Sequence, residues 1–314
     1  MADVLVTRVL PAGSLDGLRP YNVVGPNPDD RPLGPEALIE RAAAVDAIVC
    51  LLTDRIDAAV LAAGAGRLKV VANVAVGYDN VDVAAAAEHG IVVCNTPGVL
   101  DETTADTAFL LILAAARRAG EAERDLRAGR WPGWGINQYL GTDVHGATLG
   151  VVGWGRIGRA VARRAAGFGM TVLHHARRPT GADGFVADLD DLLARADVVS
   201  LHVPLTAATR HLIDERRLAL MKPTAVLVNT ARGPVVDEAA LAAALHANTI
   251  FAAGLDVYER EPDVHPGLLD APRVVLLPHI GSASVQTRTA MARMAVGAVV
   301  DVLSGRTPPN VVGG

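Results

Sequence analysis

An α/β fold in two domains, each a parallel sheet with helices on both faces, is predicted by three features of the sequence. Short β-branched runs alternate with helix-patterned segments from end to end. At Gly150-Val151-Val152-Gly153-Trp154-Gly155-Arg156-Ile157-Gly158 an apolar strand runs directly into glycines spaced G-x-G-x-x-G, and a helix pattern follows. The chain has 314 residues, 51% hydrophobic and 20% charged, which suffices for two domains with substantial cores and is too apolar for disorder.

In the first half, strands are expected at Leu5-Val6 and over residues 45–52, 69–74 and 90–94, with helices at 36–44 and 83–89 between them. Asn95-Thr96-Pro97-Gly98 reads as a crossing point between domains. A long helix over 102–118 follows, burying Phe109, Leu110 and Leu113 and ending on Arg117 and Arg118, and then a loop with Trp131, Trp134 and Tyr139. The glycine run opens the second unit. Gly153 lets the chain turn out of the strand, Gly155 lets backbone approach a pyrophosphate, and Gly158 lets the helix that starts near Arg156 pack closely on the sheet. Further strands are expected at 170–173, 196–202, 225–229, 250–255 and 274–277, making six, the number of a dinucleotide-binding Rossmann domain. A final helix over 286–304 comes after this sheet is complete and is expected to return to the first domain. The boundaries drawn are 1–98 with 286–314 for a discontinuous, flavodoxin-like substrate domain, and 99–285 for the Rossmann domain.

Composition limits the partners. With 29 basic and 34 acidic residues the net charge is −5, and no long basic run occurs, so neither nucleic acid nor an anionic membrane surface is expected. The first residues carry no basic segment ahead of an apolar one, and no stretch approaches ~18 uninterrupted apolar residues. A cytoplasmic protein acting on a small molecule is the expectation. Cys50 and Cys94 each end an apolar run and read as buried, inert strand residues. His174 and His175 are adjacent and point to opposite faces of a strand, and no other histidine has a ligand-spaced partner, so no metal is expected.

Ligands of open α/β sheets gather beyond the carboxyl ends of the strands. Three successive strands are followed there by Arg232, by Glu261 and by His279, a set suited to reducing a 2-keto acid. A guanidinium can grip the substrate carboxylate and carbonyl, an imidazole can deliver a proton to the carbonyl oxygen, and a carboxylate can hold that imidazole and favour its charged form. At the end of the second Rossmann strand, where NAD-specific sheets usually carry an acid, the chain has Ala176 followed by Arg177 and Arg178. A missing carboxylate and two guanidiniums favour a 2′-phosphate, so NADP(H) is the expected cofactor, with NAD(H) possible; the alternative is that the two arginines are ordinary solvated charges.

The chain resembles the D-isomer-specific 2-hydroxyacid dehydrogenases over nearly its full length, and within them the glyoxylate/hydroxypyruvate reductases. The matching motifs are Val76-Gly77-Tyr78-Asp79-Asn80-Val81-Asp82, Asn95-Thr96-Pro97-Gly98, Thr103-Thr104-Ala105-Asp106, the glycine run, His202-Val203-Pro204-Leu205-Thr206, Asn229-Thr230-Ala231-Arg232-Gly233, Gly254-Leu255-Asp256-Val257-Tyr258-Glu259-Arg260-Glu261-Pro262 and Pro278-His279-Ile280-Gly281. The resemblance implies that Arg232, Glu261 and His279 are catalytic and that the backbone N–H groups of Val76 and Gly77 bind the substrate carboxylate. It also implies a cleft between the domains and a homodimer built on the cofactor domains. Trp134 matches an aromatic that reaches the partner subunit's site in the reductase branch, with an interface or core aromatic as the alternative. Cofactor contacts are implied at Thr104, at Gly153, Gly155, Arg156, Ile157 and Gly158, at Ala176, Arg177 and Arg178, at Val203, Pro204 and Thr209, at Thr230, Ala231 and Arg232, and at Asp256, His279 and Gly281.

Phosphoglycerate-type relatives carry Arg-Ser where this chain has Leu51-Leu52, so Leu52 is expected to border a small or uncharged substituent. Glu261 argues against the formate dehydrogenases, which have glutamine there. Two alternatives stay open. Phosphite dehydrogenases keep the Arg, Glu and His. Dinucleotide-sensing corepressors share the fold, and against them stands a chain that ends soon after its last helix.

Overall fold

The computed structural model describes residues 1–27 and 29–312; Gly313 and Gly314, the end of the expected 286–314 segment, lie outside the described residues. The chain divides into two compact units, Met1–Leu100 with Ala283–Gly314, and Asp101–Ser282.

The first unit holds a parallel sheet of β1 (Asp3–Val6), β2 (Asn22–Val24), β3 (Ala47–Cys50), β4 (Val70–Asn73) and β5 (Val92–Cys94), in the order β2-β1-β3-β4-β5. That order is flavodoxin-like. β1, β3 and β4 are almost wholly buried, as a parallel sheet covered on both faces requires. The three-residue edge strand β2 is an addition to the four expected from sequence; its half-exposed Asn-Val-Val leaves no periodic signal. Helix Val285–Leu303 packs on β3 and β4. Cys50 and Cys94 are buried free thiols. Burial pushes both up, helped by the charges of Asp54 and Asp301 respectively, Cys94 to about 11, so neither is a thiolate at neutral pH.

The second unit holds β6 (Thr148–Val152), β7 (Thr171–His175), β8 (Val198–Leu201), β9 (Val226–Asn229), β10 (Ala252–Leu255) and β11 (Val274–Leu276), all parallel, in the order β11-β10-β9-β8-β6-β7. Beyond β7, Phe185 makes a single parallel bridge to His174, a pairing that the sequence did not disclose. Neighbouring residues of one strand feed opposite cores. Val151 joins Phe109, Leu111 and Val161 on one face, whereas Val152 joins Leu173, Leu192 and Leu241 on the other. The order of the strands reverses between β6 and β8, so their carboxyl ends flank the crevice in which such sheets bind ligands.

Helix Ala119–Arg127 is a further element that the sequence did not disclose. It buries no side chain and is entered through Arg118 in a left-handed conformation, φ 53°. Its Asp125 accepts hydrogen bonds from Tyr139 Oη at 2.8 Å and Arg130 Nε at 2.9 Å, which tie the following tryptophan loop to it. Among the described residues no helix is long and apolar enough to cross a membrane.

Candidate active site

The glycine turn sits at the end of β6. Gly153 adopts φ 102°, and a Cβ there would lie 2.5 Å from the His202 carbonyl oxygen. At Gly158 a Cβ would lie 2.1 Å from the Gly153 carbonyl oxygen, so helix Arg156–Ala166 could not approach its own turn with any side chain at that position. Gly155 differs: a Cβ would meet nothing within 4 Å, so the space beside this residue is open. No side chain caps the helix that begins at Arg156 and Ile157, which leaves its first N–H groups for an anion. The hydroxyl of Thr230, just beyond β9, is buried without a hydrogen-bond partner among the described residues. A tight turn, an open side and an uncapped helix end fit a dinucleotide, whose pyrophosphate the Arg156 and Ile157 N–H groups would hold.

Ala176 follows the last residue of β7, and Arg177 and Arg178 are exposed beside it, without an ion-pair partner among the described residues. His174 is fully buried, stacks on Trp154 at a centroid distance of 3.8 Å, and bonds Thr180 Oγ1 through Nε2 at 2.6 Å. It is a core histidine. The loop after β8 carries Val203, Pro204 and Thr209, whose hydroxyl donates to the Pro204 carbonyl at 2.6 Å and accepts from the Thr206 N–H at 2.8 Å.

β9, β10 and β11 are neighbours in the sheet, and their ends carry Arg232, Glu261 and His279 in turn. Buried Asn229 shapes the first turn: its Nδ2 donates to the Arg232 carbonyl at 2.9 Å and its Oδ1 accepts the Ala231 N–H at 3.0 Å. Gly233 lets that turn lie against the next loop, because a Cβ there would fall 1.8 Å from the Tyr258 carbonyl carbon. Gly233→Ala is therefore expected to destabilise the protein by about 1–3 kcal/mol and to lower activity more than stability alone requires, measured by thermal unfolding and turnover together.

Glu261 and His279 meet directly. His279 Nδ1 donates to Glu261 Oε2 at 2.8 Å, and the Tyr258 N–H donates to Glu261 Oε1 at 3.1 Å. Burial raises the Glu261 carboxyl, but the hydrogen bond and charge of His279, the Tyr258 N–H and the charge of Arg232 outweigh it, so its pKa lies below the ordinary value. The backbone at His279 is left-handed, φ 53°, which is uncommon for a residue with a side chain.

Asp256 holds that conformation. Its carbonyl accepts the His279 N–H at 2.9 Å, and its two carboxylate oxygens accept the Ile280 and Gly281 N–H groups, each at 2.7 Å. Burial raises its pKa, partly offset by those two N–H groups. Both oxygens are thus engaged in bracing the turn that presents His279, a role the sequence did not reveal because its partners lie 24 and 25 residues away. Gly281 is packed against the same carboxylate and against Thr104 of helix Asp101–Ala116; a Cβ would lie 3.1 Å from Asp256 Oδ2.

In the first unit, Val76 and Gly77 follow β4, and neither N–H donates to an acceptor among the described residues. Leu52 lies half-buried in the loop after β3. Trp134 is 80% exposed.

The family model for the NAD-binding domain of D-isomer-specific 2-hydroxyacid dehydrogenases matches residues 109–281. The glyoxylate reductase of Thermococcus onnurineus is 47% identical over 98% of this chain and 95% of its own. A solved protein of Thermus thermophilus superposes with a TM-score of 0.92 at 47% identity, covering 99% of both chains. The NADPH-dependent glyoxylate/hydroxypyruvate reductase of Sinorhizobium meliloti, solved with NADP and malonate, superposes with a TM-score of 0.86 at 36% identity, covering 99% of this chain and 97% of that one. Matched by the family model over more than half its length and by this identity over nearly all of it, the chain belongs to the D-isomer-specific 2-hydroxyacid dehydrogenases.

Proposed function

We propose that the protein reduces a small 2-keto acid, glyoxylate, hydroxypyruvate or a similar compound, to the D-2-hydroxy acid with NADPH. The observation that carries this reading is the Glu261–His279 hydrogen bond at 2.8 Å, on strand ends adjoining that of Arg232. The bound dihydronicotinamide supplies the hydride that forms the new C–H bond at the carbonyl carbon. Arg232 binds the substrate carboxylate and polarises the carbonyl, and the Val76 and Gly77 N–H groups bind the same carboxylate. With Nδ1 donating to Glu261, the imidazolium gives its Nε2 proton to the carbonyl oxygen as the C=O π pair moves onto it. Glu261 stabilises the cation until that transfer. Leu51 and Leu52 favour a small, uncharged substituent, and Arg177 and Arg178 pair with the 2′-phosphate.

A panel of glyoxylate, hydroxypyruvate and larger 2-keto acids against NADPH and NADH tests the reading. The highest kcat/KM is expected for a small keto acid with NADPH. Oxidation of phosphite with NADP in place of keto-acid reduction would favour the phosphite reading, and tight NADPH binding without turnover of any substrate would favour a dinucleotide sensor.

A homodimer is part of the same reading. Leu126, Trp131, Trp134, Ile136 and Leu140 are all at least half exposed along one segment of the second unit, an apolar surface of the kind that marks an interface. Sedimentation is expected to give a dimer, and Ile136→Glu with Leu140→Glu is expected to give a monomer.

A further inference from the structure

We propose that Asn95 is a positioning residue for the substrate carboxylate, acting through the orientation of the Val76–Gly77 peptide; this rests on the reading that the Val76 and Gly77 N–H groups bind that carboxylate. Successive carbonyls of an extended chain point to opposite sides. After β4 they do not alternate. The Ala75 carbonyl accepts the Thr96 N–H at 2.9 Å, and the next carbonyl, that of Val76, accepts Asn95 Nδ2 at 2.8 Å, so two carbonyls in a row face the 95–96 segment.

Among the described residues the cis bonds are Gly25-Pro26 and Glu261-Pro262, so these peptides are trans. In a planar trans peptide the N–H points opposite to the C=O. Holding the Ala75 carbonyl therefore aims the Val76 N–H away from the 95–96 segment, and holding the Val76 carbonyl aims the Gly77 N–H the same way. Two consecutive N–H groups turned to one side form an anion-binding concavity. One of its two anchors is backbone; the other is the side chain of Asn95. Asn73 does the same at the next carbonyl, donating through Nδ2 to Gly77 at 3.0 Å, which aims the Tyr78 N–H away from it in turn.

Asn95 is itself held. Its backbone N–H donates to the Asn310 carbonyl at 3.2 Å, and Asn310 Nδ2 donates to the Asn95 carbonyl at 2.5 Å. Asn310 is 6% exposed and lies beside Val311, which bridges Cys94 at the end of β5. The turn near the C-terminus thus braces Asn95, and through it the peptide after β4.

The test is steady-state kinetics with glyoxylate and NADPH. Asn95→Ala, which removes the donor, and Asn95→Asp, whose carboxylate cannot donate, are each expected to raise the KM for glyoxylate at least about tenfold, with kcat changed less than about threefold, and to leave the KM for NADPH and the thermal midpoint near wild type. Asn310→Ala is expected to move the same constant in the same direction by a smaller factor. In parallel, an ester in place of the Gly77 amide, introduced as the α-hydroxy acid, removes that N–H and also weakens the Val76 carbonyl as an acceptor; the Asn95 variants report on the hydrogen bond to that carbonyl by itself, so the comparison isolates the N–H. If the ester raises the KM and both Asn95 variants leave it unchanged, the carboxylate reading stands and the role of Asn95 is overturned. If the ester has no effect, the carboxylate reading itself fails. Parallel loss of kcat, both KM values and thermal midpoint in both variants would make Asn95 merely structural.

Discussion

His279→Gln is expected to lower kcat for 2-keto acid reduction by about a thousandfold while leaving NADPH affinity within a few-fold, because it removes the proposed proton donor without disturbing the nucleotide turn. Stopped-flow measurement of nicotinamide oxidation, with separate titration of NADPH binding, separates the two effects. A loss smaller than about tenfold would remove His279 from the chemistry. Glu261→Gln makes the matching test. The amide oxygen can still accept from Nδ1 but carries no negative charge, so kcat is expected to fall, though by less than in His279→Gln, because the hydrogen bond that orients the ring is kept. Because the Glu261 carboxyl lies below its ordinary value, its contribution to stability is complete above the ordinary carboxylate range and is lost as the pH falls through the lowered value.

The second large effect is expected at the end of β7. Arg177→Ala with Arg178→Ala should raise the KM for NADPH about a hundredfold and that for NADH less than about threefold, since a guanidinium–phosphate pair contributes roughly 1.5–3 kcal/mol and the 2′-hydroxyl of NADH has no such partner to lose. Both side chains are exposed without an ion-pair partner among the described residues, so the substitutions should leave the fold intact. Equal effects on the two cofactors would mean that these are solvated charges and would end the assignment of NADPH preference.

The sequence disclosed those elements whose signal is local. A glycine at φ 102°, a helix opening at Arg156 and six short, mostly apolar strands are written in contiguous residues, and so the doubly wound sheet was legible. β2 and helix Ala119–Arg127 were not, because one has three half-exposed residues and the other buries nothing. At the site, the order of strands indicated which side chains follow which strand end, but not their contacts. The Glu261–His279 bond spans 18 residues, and the Asp256 brace on Gly281 spans 25. Asparagine directly after or at the end of a strand, as at Asn73, Asn95 and Asn229, was the available signal for turn-shaping residues; read only as motif letters, it did not say which carbonyl each would hold.

On the proposed roles of Arg232, Glu261 and His279, hydride from NADPH reaches one face of a 2-keto acid and gives one hand of product. The handedness of the glycerate formed from hydroxypyruvate tests it most directly, by chiral chromatography of a reaction run to completion with NADPH. Stoichiometric D-glycerate is the expected result. L-glycerate, or no product from a protein that still binds NADPH, would contradict the account.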